Sequence, residues 1–191
     1  MRSAANKHKT AAAVVPMCVT NHTQGTLNEG DSSALFTNRP FSLEVINVML
    51  WVTRQKPHVD RCASAWLIKR FIDKEAVFQF IAKESEIPKG AIGFTLSKAE
   101  INPVEGVKTT FDVLVEKYHV NDFMVRKIKD IVRDFEFNEE EPEGIQLKET
   151  LGVCYILKGL EKTSRTDDET ISKAFVVMDA LYATLRELEH H

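Results

Sequence analysis

The sequence predicts an α+β domain, a small β-sheet of two to four strands packed with a mostly helical C-terminal layer. Three observations lead there. Runs rich in β-branched and aromatic residues are confined to the stretch between Pro40 and Leu96. From Phe111 onward, apolar residues recur every three or four positions. Helix-start residues stand in front of those periodic segments at Thr110, Asp122 and Thr166.

Taken in order, PFSLEVINVMLWV from Pro40 to Val52 predicts the first strand. QKPHVDR is then a turn, because Pro57 fixes its own φ and disfavours helix at the residue before it. Asp60 is expected to cap a helix from Arg61 to about Ile72, with Ala63, Trp66, Leu67 and Phe71 facing inward. Ala76–Ala82 predicts a second strand and Ala91–Leu96 a weaker third, with Pro88, Gly90, Gly93 and Pro103 marking loops. Phe111–Tyr118 follows as a helix capped by Thr110, and Asp122 caps the next, which carries Ile128, Ile131, Val132 and Phe135. The acidic run from Asn138 to Glu143 separates it from a helix over Ile145–Glu161 with Leu147, Leu151, Cys154, Leu157 and Leu160 as its stripe. Thr166 to Glu169 forms a capping box for the last helix, whose stripe runs Ile171, Ala174, Phe175, Met178, Leu181, Tyr182 and Leu185.

Composition narrows the function. The 191 residues are 43% hydrophobic and 28% charged, with a net charge of −3, so no basic field invites nucleic acid. No stretch reaches the roughly 20 apolar residues of a membrane helix. The start mimics a secretory signal, but Pro16 interrupts its short apolar run. Cys18, Cys62 and Cys154 are odd in number and far apart, which fits a reducing, cytoplasmic setting rather than a disulfide framework. Residues 1–48 are Ala-rich and then polar, and are expected to form a poorly ordered extension outside the domain of residues 49–187. Residues 188–191 read as the remnant of a purification tag, which removes His190 and His191 as ligands. His58 and His119 each stand alone and read as solvent-exposed structural histidines, so no metal and no cofactor is expected.

The informative stretch is WVTRQKPHVDRCASAWLIKRFID, Trp51 to Asp73. Arg54 ends a strand and Arg61 begins a helix across a short turn, so both guanidinium groups can converge on the helix N-terminus. Free amides and the positive dipole end favour an anion there. Two planar, permanently charged groups add donors suited to a tetrahedral oxyanion, with Thr53 adding a hydroxyl. The opposing account pairs Arg61 with a carboxylate, makes Asp60 only a cap, puts Trp66 in the core and lets Arg70 lie along the surface.

At nearly every fixed position this stretch resembles the pattern W-V-T-R-x-x-P-x-V-D-R-x-A-x-x-W-L-I-x-R-F-I-D of the C-terminal domain in the ChrB-type chromate resistance family. TFDVLVEKY, IVRDFEF and DETISKAFVVMDALYATLRE resemble the family's later blocks. The resemblance implies a stand-alone oxyanion-responsive domain in which Arg54, Arg61, Thr53, Asp60 and Trp66 meet chromate, sulfate or phosphate. It also implies regulators that join this domain to an upstream DNA-binding module, for which the 48 upstream residues, with only Arg2, Lys7, Lys9 and Arg39 as strong cations, are too short. One element departs from the pattern. Where the family has His-x-Gly-x-x-Cys-Thr-Phe, this chain keeps Gly106, Thr110 and Phe111 but holds Val104 and Thr109 at the His and Cys positions. Two alternatives stay open: a thiol enzyme using Cys62, whose place near a helix start favours a thiolate, and an interaction domain without a small-molecule site.

Overall fold

The computed structural model describes residues 48–82 and 85–189. The expected extension, the first half of the expected first strand and the last two histidines therefore lie outside the described residues. Within them the domain is α+β: three short strands and five α-helices.

Strands β1 (Leu50–Arg54), β2 (Val77–Ile81) and β3 (Ile92–Gly93) form one sheet in the order β2-β1-β3. Both pairings are parallel, with Leu50 opposite Val77, Arg54 opposite Ile81 and Trp51 opposite Ile92. Parallel neighbours need a crossover. Helix α1 (Val59–Leu67) and a π-helical turn (Ile68–Ile72) supply it between β1 and β2. Thr53 and its neighbours Trp51 and Val52 on the central strand are fully buried.

All nine residues of α1 are buried, because helices pack around it. These are α2 (Thr110–Lys117), α3 (Phe123–Asn138), α4 (Thr150–Thr163) and α5 (Asp167–Leu188). The core gathers Trp51, Trp66, Phe94, Phe111 and Phe135 with Leu67, Ile128, Leu157 and Met178. Among the described residues no helix is long and apolar enough to cross a membrane.

Several boundaries differ from the sequence expectation for identifiable reasons. Helix α1 starts at Val59, with His58 in the cap position and making no side-chain cap bond. Asp60 is not the cap of its own helix, since its carboxylate is turned toward α2. The α2 cap is Thr109, one residue earlier than expected, in a capping box with Asp112. Asp122 does cap α3, accepting from the Val125 amide. Helix α4 begins five residues later than Ile145. The Asp134 carboxylate accepts the amides of Gln146 and Leu147, holding that segment out of helix behind the 3₁₀ turn Pro142–Gly144. Thr166 caps α5 by accepting from Glu169 N–H at 3.1 Å, while the Glu169 carboxylate reaches back to the amide of Arg165 at 2.8 Å.

The stripe on α5 gives a direct test. Met178 is 1% exposed and Val176, two positions earlier, 69%. Met178→Ala should cost about 2–5 kcal/mol, through lost burial plus a residual cavity. Val176→Ala should stay within about 0.5 kcal/mol. Denaturant midpoints compare the two, and equal losses would contradict this assignment of the helix face.

Candidate functional site

An open cleft of about 580 Å³ lies at the carboxyl ends of the adjacent strands β1 and β3. Arg54 is the last residue of β1, and Thr95 follows β3 by two residues. The carboxyl ends of parallel strands are where such sheets place their ligands, since the loops leaving them are free to vary. Three segments line the cleft. The β1–α1 turn and helix start give Arg54, His58, Asp60 and Arg61. The β3–α2 connection gives Thr95, Val104, Lys108 and Thr109, and the C-terminal end of α3 gives Glu136, Phe137 and Glu139.

The arginines arrive through a constrained turn. Lys56 has a positive φ of 55° and its amide donates to Asp167 at the start of α5 (3.1 Å), which ties the turn to the last helix. Its carbonyl accepts from Arg61 Nη2 at 2.5 Å. Arg61 is only 6% exposed, and its Nε has no hydrogen-bond partner among the described residues. Neither Arg54 nor Arg61 is in an ion pair with a described carboxylate. Burial pulls the Arg61 guanidinium below its ordinary range, and repulsion from Arg54 adds to that. The carboxylate pairing expected for Arg61 on the opposing account is absent among the described residues, and Asp179 is not its partner. Asp179 is held instead by Arg70, at 2.7 and 3.0 Å, and by Trp66.

The amides of the two helix starts are not left free for an anion. Asp60 accepts from the Thr110 and Phe111 amides at 2.9 and 3.0 Å, at the N-terminus of α2, and from the Ser64 hydroxyl at 3.3 Å. Burial pushes its carboxyl up while these bonds pull it down. The Asp60 amide, in the first turn of α1, donates to Glu136 Oε1 at 3.0 Å. Glu136 is thus half-buried beside a second carboxylate, and burial followed by repulsion from Asp60 raises it to about 7.

His58 is half-buried in this cleft rather than solvent-exposed. Its Nε2 lies 3.9 Å from Glu139, and burial lowers its pKa, so the ring is mainly neutral at pH 7. His119 is exposed, at the end of α2, with a φ of 51°.

Of the five residues marked by the sequence, Arg54, Asp60 and Arg61 line the cleft. Thr53 and Trp66 do not. Thr53 is sealed inside the central strand, its hydroxyl without a partner among the described residues. Trp66 is 1% exposed, donates to Asp179 at 2.8 Å and packs on Phe71 and Tyr182. The thiol reading of Cys62 is corrected as well. Its Sγ is buried, donates to the Pro57 carbonyl at 3.4 Å and is raised by burial to about 12, so the helix start creates no thiolate. Cys154 is equally buried and raised to about 12. Sequence reasoning missed Glu136 and Lys108. No local signal marks them, because each enters the cleft from an element far along the chain. Among the described residues no cluster of His, Cys, Asp and Glu has a metal-binding arrangement.

A family model described as "ChrB, C-terminal domain" matches residues 51–185. The chain belongs to the ChrB C-terminal domain family. Protein ChrB of Cupriavidus metallidurans is 29% identical over 133 residues, which are 69% of this chain and 39% of that protein. The chain therefore spans about two-fifths of that relative's length. No solved structure matches. Within the ChrB pattern, Val104 and Thr109, where this chain departs from the expected His and Cys, line the same cleft as Arg54 and Arg61. Thr109 now spends its hydroxyl on the α2 cap, accepting from Asp112 N–H at 3.1 Å.

Two measurements follow from this geometry. Between the ordinary 4.5 of a Glu and the 7 of folded Glu136, the folded state holds a proton that the unfolded chain has lost. Stability must then fall as pH rises through that window. Glu136→Gln should be stabilised relative to wild type by about 1–2 kcal/mol above pH 7, the gain vanishing below about pH 4.5. Melting curves across pH test this, and a pH-independent difference would contradict it. Cys62 should resist alkylation in the folded protein, reacting only at the rate of opening. Labelling as fast as an exposed thiol would restore the thiol reading.

Proposed function

We propose that this ChrB-family domain binds a small tetrahedral oxyanion, of the chromate, phosphate or sulfate type, in the cleft between Arg54 and Arg61. One observation carries the reading. Two guanidinium groups face one cleft without an ion-pair partner among the described residues, and the more buried of them keeps an unpartnered Nε. Other buried polar groups around them are matched by a protein partner, as Asp60, Ser64 and Thr109 are. The exception, the Thr53 hydroxyl, is sealed in the sheet and does not line the cleft. Like charges held together repel, and a bound dianion reverses the sign of that interaction. A guanidinium presents parallel donors matched to two oxygens of one tetrahedral ion.

Lys108 lines the same cleft and is paired with Glu116 at 2.6 Å, so its positive field is partly offset. The proposed role is that of a cytoplasmic sensor of the anion, acting without a cofactor or direct nucleic-acid contact.

Thermal melting of the full chain tests the proposal. At least one of chromate, phosphate and sulfate should raise Tm saturably, as linkage requires, while chloride at matched ionic strength does much less. Arg54→Gln should abolish that rise and leave the anion-free protein within about 1 kcal/mol of wild type, since the Arg54 side chain makes no hydrogen bond or ion pair with a described residue. Arg61→Gln should abolish it too, at a cost of about 1 kcal/mol for the lost bond to the Lys56 carbonyl. A flat Tm with all three anions would overturn the reading.

A further inference from the structure

Resting on the oxyanion reading of the cleft, we infer that Glu136 is its specificity-determining residue and selects oxyanions that still carry a proton. Glu136 lines the same cleft as Arg54 and Arg61. Its Oε1 is fixed by the Asp60 amide at 3.0 Å, and Oε2 accepts no hydrogen bond from any described residue. An oxyanion drawn in by the guanidiniums therefore meets a positioned carboxylate oxygen. Hydrogen phosphate and hydrogen chromate carry an O–H that donates to it. Sulfate has no proton near neutral pH and would press lone pair against lone pair, leaving two acceptors facing each other without a donor. A site built around a hydrogen bond rejects the analogue that lacks the donor far more strongly than a greasy pocket rejects a size change.

The surroundings of Glu136 hold the carboxylate at this task. Asp60 and Arg61 face it from α1, Glu139 from the end of its own helix, and Lys158 and Cys154 from α4. Arg54, His58 and Lys108 line the same cleft. Lys158 is already committed to Glu139 at 2.5 Å, and His58 leans on the same carboxylate. Glu136 is thus left without a cation of its own, close to Asp60, and titrates near neutrality at about 7. Its protonated form becomes a donor, so sulfate should gain entry only as the pH falls.

The test is calorimetric titration of the full chain with inorganic phosphate and with sulfate, below and above the titration of Glu136. Above pH 7, phosphate should bind at least about tenfold more tightly than sulfate, and the gap should narrow at lower pH as sulfate improves. Glu136→Gln keeps a carbonyl for the Asp60 amide and adds an N–H₂ donor. It should bring sulfate to within about threefold of phosphate at every pH. Equal binding of the two anions by wild type above pH 7 would overturn the inference while leaving the oxyanion site standing. An unchanged ratio in Glu136→Gln would do the same. If neither anion binds wild type or variant, the site itself is refuted. The wild-type pH series decides the matter even if the variant does not fold.

Discussion

Helix α1 is buried on every side, and that single constraint organises the domain. A buried helix cannot leave polar groups to water, so they are matched inside the protein, with the Nε of Arg61 as the exception among the described residues. Asp60 provides the central match. Its carboxylate leaves α1 and accepts two amides of the first turn of α2, a charge-assisted bond to a positive helix end. That bond fixes α2 against α1 and brings the β3–α2 connection opposite the turn after β1. Without it, two buried amides would be orphaned, at about 1–3 kcal/mol each. Asp60 thereby ties together two of the segments that line the cleft.

The same constraint explains the unusual electrostatics. The first turn of α1 also needs an acceptor, and α3 supplies Glu136 for it. Two carboxylates and two guanidiniums thus share a small volume without forming simple ion pairs with one another. Buried ion pairs gain little net stability once desolvation is counted. The arrangement is better understood as a set of charges in which Asp60, Arg61 and Glu136 are each fixed by a backbone hydrogen bond rather than by one another.

The far end of α1 is built differently. Both tryptophans of the opening motif donate to aspartates, Trp51 to Asp73 at 2.9 Å and Trp66 to Asp179 at 2.8 Å. The first bond closes the π-helical turn onto the sheet, and the second docks α5. Arg70 joins Asp179 and stacks on Phe175, an exposed contact worth little alone but adding to a packed aromatic group. Within one continuous motif, then, the residues around Arg54 to Arg61 shape the cleft, and those from Trp66 to Asp73 anchor the scaffold.

The sequence by itself determined the fold class, the five helices, the three strands and the caps at Asp122 and Thr166. These rest on local rules, namely periodicity and the need of helix-start amides for an acceptor, which act over a few residues. It also brought Arg54 and Arg61 together, because a short turn leaves them nowhere else to go. The parallel pairing of all three strands, the partner of Asp60, the burial of Cys62 and the arrival of Glu136 were decided only by tertiary structure. Each depends on residues about 25 to 76 positions apart, as in the bond from the Asp60 amide to Glu136. A capping residue looks the same in sequence whether it serves its own helix or another. A cysteine at a helix start looks reactive until packing removes its water. Packing around α1 made those choices, because a buried helix leaves each polar side chain only the partners that its neighbours bring.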